Sequence, residues 1–130
     1  MPDASMLTEA DIRRLAESQG PPRSWLSVYL PRDWDREWFE GRVDALARDL
    51  DGEAERENLE ASVAMVREHL ETRPVGHGAD GGEGRAIFAC WLDDAVESFD
   101  LRAPVEPRIV LEASPFVMPL AELLDDWETY

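Results

Sequence analysis

Four arginines stand near the ends of predicted strands: Arg23, Arg32, Arg85 and Arg108. Guanidinium groups that converge at one sheet edge can receive a phosphate or a carboxylate through paired, charge-assisted hydrogen bonds. The competing reading, which we prefer, is that each pairs with a neighbouring acid, since surface ion pairs are common and individually weak. Carboxylates adjoin at Asp93-Asp94 and Asp125-Asp126 and recur at Glu53 and Glu55. With 29 Asp and Glu in the chain, such adjacency is expected by chance. Asp93-Asp94 also falls between two predicted strands, where Asp is ordinary turn chemistry. The two histidines, His69 and His77, have no Cys partner and no mutual spacing that suits a metal. Cys90 sits in the apolar run Ala86-Ile87-Phe88-Ala89-Cys90-Trp91, which reads as an inert core thiol. The glycine-rich segment 76–84 follows a predicted helix and precedes a strand, the reverse of a phosphate-binding loop. No nucleophile–base pair is visible, so we expect no catalytic residues, no metal and no cofactor in this chain.

These groups must be positioned by a real core. The chain has 130 residues, the size of one domain, with 44% hydrophobic residues including 5 Trp and 4 Phe. The net charge is −16, and all 13 basic residues are Arg. Codon usage in a GC-rich genome and adaptation to high salt both account for acidity without lysine. A field of this sign repels phosphate backbones, so autonomous nucleic-acid binding is not expected. One cysteine excludes an internal disulfide and fits a reducing cytoplasm. The N-terminus lacks the basic and apolar regions of a signal peptide. No apolar run reaches the ~20 residues of a membrane span.

Hydrophobic spacing orders the elements. Thr8 caps a first helix with Leu7, Ile12, Leu15 and Ala16 on one face, stopping before Gly20-Pro21-Pro22. Residues 24–30 read as a buried strand. Residues 36–50 form a helix with Phe39, Val43, Leu46 and Leu50 in one stripe. Residues 55–72 repeat that geometry with Leu59, Val63, Val66 and Leu70, so the two helices should form an antiparallel pair. Residues 73–84, with five glycines, are expected to be a flexible loop. Strands are predicted at 85–92, 96–101 and 108–112, the first of them central. In the second, Phe99 and Leu101 should face one side and Ser98 and Asp100 the other. A last helix follows Pro115 with a stripe of Leu120, Leu123, Leu124 and Trp127. The predicted fold is an α+β (α/β) sandwich in the order α-β-α-α-β-β-β-α, one mixed sheet of about four strands covered by helices. Residues 1–130 make a single domain, with 1–6 a loose N-terminus.

The element order and several residues resemble the N-terminal domain of the eukaryotic and archaeal class-one peptide chain release factors. The resemblance is closer to their prokaryotic release-factor-like relatives. It runs from Leu7 to about Trp127 and is carried by Ser27-Val28-Tyr29-Leu30-Pro31, the two-helix hairpin and Gly84-Arg85-Ala86-Ile87-Phe88-Ala89-Cys90. Pro107-Arg108-Ile109-Val110-Leu111, Pro115-Phe116 and Leu123-Leu124-Asp125-Asp126-Trp127 complete it. The resemblance implies a part in translation termination or ribosome rescue, reached through the ribosome or tRNA by a longer parent protein. Of the family's Gly-Thr-Ser turn only Ser24 is kept, and of its Tyr-x-Cys-x-x-x-Phe pattern only Phe116. Where the family carries Asn-Ile-Lys-Ser, this chain has Asp51-Gly52-Glu53-Ala54-Glu55, which argues against stop-codon reading. The family's hydrolytic Gly-Gly-Gln belongs to a second domain, and Gly81-Gly82-Glu83 is not that motif. Arg23, Ser24, Arg32, Arg108 and Phe116 are therefore the candidate binding residues. The alternative is a stand-alone acidic domain that binds a protein or forms a homodimer through Trp34, Trp38 or Trp127. A small enzyme with an unrecognised acid site ranks third.

Overall fold

The computed structural model describes residues 9–18, 20, 24–72, 84–101 and 105–117. The Thr8 cap, Arg23, the loop at 73–83 and the closing helix with Leu120, Leu123, Leu124 and Trp127 lie outside the described residues. A first helix spans Glu9–Glu17 (α1) and leads to a strand at Trp25–Pro31 (β1). Two helices follow at Arg36–Asp49 (α2) and Glu53–Thr72 (α3). Then come strands at Gly84–Cys90 (β2), Ala95–Leu101 (β3) and Arg108–Glu112 (β4). The four strands form one sheet in the order β3-β2-β1-β4. The α+β sandwich expected from the sequence is the architecture observed.

Every strand pairing is antiparallel, where a mixed sheet was expected. The cause is the helix pair between β1 and β2. One crossover helix would return the chain to the start of β1 and give a parallel neighbour. Two helices return it to the end of β1 instead, so β2 runs back in the opposite direction. The pair is antiparallel: Arg67 near the end of α3 donates Nε and Nη2 to the two carboxylate oxygens of Glu40 near the start of α2. That hydrogen bonding holds the Glu40 carboxyl below its ordinary range.

Period-two alternation then divides the core. Leu26, Val28 and Leu30 of β1 meet Ile87 and Ala89 of β2, Ile109 of β4 and the apolar stripes of α2 and α3. Trp25 and Tyr29 point the other way, with Ala86, Phe88, Cys90, Phe99, Leu101 and Leu15 of α1. Both central strands are thus covered on both faces, which is why they read as largely apolar runs. Ile87 and Phe88 are fully buried, as expected for an interior strand. At the start of β2 a Cβ on Gly84 would lie 2.9 Å from the Leu30 carbonyl and from Val105, so a side chain has no room there. Gly84 is therefore strand, not the last residue of a flexible loop.

Local chemistry sets the element ends. The Asp35 carboxylate accepts from the Glu37 N–H at 3.0 Å and caps α2. Arg56 Nε donates to the Leu50 carbonyl at 3.1 Å and closes the other end of that helix. Glu53 and Glu55 begin α3 two residues earlier than expected, where acids suit the helix dipole. The strand predicted at 85–92 stops at Cys90. Trp91 and Leu92 leave the ladder in a 3-10 turn at Trp91–Asp93, which ends on Asp94 with φ 50°. Asp tolerates that left-handed conformation.

Cys90 is 1% exposed within the α1-side core. Its thiol is expected to react slowly with a labelling reagent in native buffer and quickly in denaturant. Rapid stoichiometric labelling of the native protein would contradict the packing described.

Candidate functional site

The sheet brings only some of the candidate residues together. Ser24 immediately precedes β1 and is 3% exposed. Its Oγ is buried and has no hydrogen-bond partner among the described residues. A Cβ on Gly20 would stand 2.6 Å from that oxygen, so Gly20 packs directly on it. Arg32 is exposed in the turn after β1. Seven strand residues separate the two, roughly 26 Å of chain. Arg23 lies outside the described residues.

Arg32, Arg85 and Arg108 do lie at one end of the sheet, since Arg85 pairs with Leu30 and Arg108 with Tyr29. Arg85 and Arg108 do not share a face of it. Arg85 shares the face of Ile87 and Ala89 under α2 and α3, and its Nε donates to Asp100 Oδ1 at 2.9 Å. Its side chain is 5% exposed, so Asp100 partners a buried guanidinium. Arg108 sits on the opposite face, its guanidinium 5.6 Å from the Phe116 ring centroid. The expectation that each arginine pairs with a neighbouring acid fits Arg85, whereas the contact of Arg108 is with an aromatic ring.

Arg108 and Phe116 are the two candidates that meet, and two unforeseen residues hold them. Phe116 N–H donates to Ser27 Oγ at 2.9 Å. The Tyr29 hydroxyl donates to the Phe116 carbonyl. The Tyr29 and Phe116 rings meet edge-on, with centroids 6.4 Å apart at 90°. β1 therefore latches the segment after β4 through both backbone groups of one residue. The signal in the sequence is two hydroxyls, Ser27 and Tyr29, on one face of an otherwise apolar strand, where each needs a partner. The partner lies 87 to 89 residues away and has no local trace.

Other groups are structural in character. Arg14 of α1 pairs with Glu97 of β3 at 2.7 Å in an exposed setting worth ~0–1 kcal/mol. Trp34 and Trp38 are half-buried against the α2–α3 core rather than displayed, and Trp34 packs edge-on to Phe39 at 5.9 Å. Among the described residues, no group of three or more His, Cys, Asp or Glu is placed to hold a metal ion. No described helix is long and apolar enough to cross a membrane.

No protein-family model matches this chain. No curated protein matches it either. Solved structures do. The crystal structure of the archaeal translation termination factor aRF1 is similar with a TM-score of 0.68 at 11% identity, over 95% of this chain and 36% of that one. Another archaeal protein gives a TM-score of 0.66 at 12% identity, over 93% of this chain and 37% of that one. The chain thus spans a little over a third of either length. At such identities the likeness is one of fold, and it supports a release-factor-like fold for the described sandwich.

Burial raises the Tyr29 phenol above its ordinary value of 10.0, opposed in part by the positive charge of Arg108. A raised folded-state value means stability fully present below the unfolded value and lost as pH rises towards the folded one. No lysine titrates in that window, because the chain has none. Stability in urea is therefore expected to decline from about pH 10 upward. Tyr29→Phe is expected to flatten that decline and to cost about 1–2 kcal/mol at neutral pH, through the lost bond to the Phe116 carbonyl. An alkaline decline of unchanged slope in the variant would contradict this burial.

Proposed function

We propose that this chain is a non-catalytic, release-factor-like domain of a cytoplasmic protein that acts in translation termination or ribosome rescue. The observation that carries the reading is the fold likeness to the termination factor aRF1 over 95% of the chain. The sequence resemblance, made on different grounds, points to the same family. Peptidyl-tRNA hydrolysis in this reading is the work of another part of the parent protein.

Stop-codon reading is not included. The turn between α2 and α3 is the place where the resemblance would put codon contacts, and there Asp51 and Glu53 are exposed carboxylates. RNA binding needs cations to displace counterions from phosphates, and these groups carry the opposite sign. Ribosome engagement then rests on protein contacts or on the parent's other domains.

The test has two parts. The complete reading frame containing this domain is expected to co-sediment with ribosomes stalled on truncated messages, and failure to do so would contradict the translation reading. The isolated chain is expected not to bind short RNA at ~0.15 M salt in a fluorescence titration. Low-micromolar binding that weakens steeply with salt would show that an arginine face reads phosphate after all.

A further inference from the structure

We infer that the turn joining β2 to β3 is a docking point for a basic protein segment that carries apolar side chains. Trp91 and Leu92 are the large hydrophobic residues exposed among the described residues, at 43% and 46%. They are adjacent, and both lie in the 3-10 turn Trp91–Asp93. This is no frayed tip. Trp91 Nε1 donates to Asn58 Oδ1 on the second turn of α3, and the Asp94 N–H closes the turn on the Trp91 carbonyl at 3.1 Å. An indole already fixed in place loses little freedom on binding, and Trp is the residue type most often found at the energetic centre of interfaces.

The surroundings select the partner. The same end of the sandwich holds the α2–α3 turn and the start of α3. Asp49, Asp51, Glu53, Glu57 and Asp94 are exposed there, against Arg48 and Arg56. Arg56 is partly engaged, donating to the Leu50 carbonyl. An apolar pair rimmed by carboxylates matches a segment that pairs lysines or arginines with a leucine-like anchor. A second copy of this chain fits poorly, because each carries a net charge of −16 and the same acidic rim would face itself. RNA and anionic membranes share the sign of the rim and are repelled. This inference does not depend on the translation reading.

The direct test is a titration of the chain, followed by backbone amide shifts, with a synthetic peptide of alternating lysine and leucine. An oligolysine of equal charge and a leucine–serine peptide of equal length serve as the comparison probes. The lysine–leucine peptide is expected to shift amides at 91–94 and at Asn58 and to bind more tightly than either comparison. Trp91→Ser and Leu92→Ser are each expected to weaken it about tenfold. Leu92→Ser disturbs no polar contact of the turn and keeps the test decisive if Trp91→Ser unfolds. Equal affinity in wild type and Leu92→Ser, or equal binding of the uncharged peptide, would overturn the proposal. So would a dimer in ultracentrifugation that Leu92→Ser dissociates, since the pair would then be a self-association contact.

Discussion

The antiparallel ladder between β1 and β2 is the interaction on which the rest of the molecule depends. Its six residue pairs, from Leu26↔Ala89 to Pro31↔Gly84, satisfy backbone groups that are buried on both faces. One face receives the stripes of α2 and α3, and the other receives α1 and the segment around Phe116. An acidic chain tolerates its own repulsion because the apolar side chains at these strands are withdrawn from water, while no carboxylate among the described side chains is buried.

Polar groups inside this frame are few, and Ser27, Tyr29 and Arg85 each fix a geometry. Arg85–Asp100 locks the start of β2 to β3 beneath the helices. Ser27 and Tyr29 seize the backbone of Phe116 and thereby settle where the chain goes after β4. Arg108 closes over the Phe116 ring. The residues that the release-factor resemblance singled out at this place thus act on one another. The exposed chemistry lies at the other end of β1, with Trp91, Leu92 and the acidic α2–α3 turn.

Helical elements were legible because their apolar stripes have a period that a strand cannot share, as with Leu59, Val63, Val66 and Leu70. The ends of β4 were legible because Pro107 precedes it and Ser114-Pro115 follow. The end of β2 was not. In Ala86-Ile87-Phe88-Ala89-Cys90-Trp91-Leu92 nothing marks where the ladder stops, since an unbroken apolar run has no period. That one ambiguity hid the exposed Trp91–Leu92 pair. Strand order was equally hidden, because β4 pairs with the distant β1 rather than with its sequence neighbour β3. Arg108 and Phe116 were both named from the sequence, but their contact follows from the register Tyr29↔Arg108, which no local pattern encodes. Arg32 remains an exposed residue of the turn after β1.

Native-state hydrogen exchange tests the central place of the β1–β2 ladder most directly. Amides of Leu26 to Leu30 and of Ala86 to Ala89 should exchange last, through global unfolding, while those of α1 and the edge strand β4 open at lower free energy. If amides of the α2–α3 pair outlast those of β1 and β2, the helical hairpin is the stable unit and the sheet is built upon it, contrary to the hierarchy drawn here.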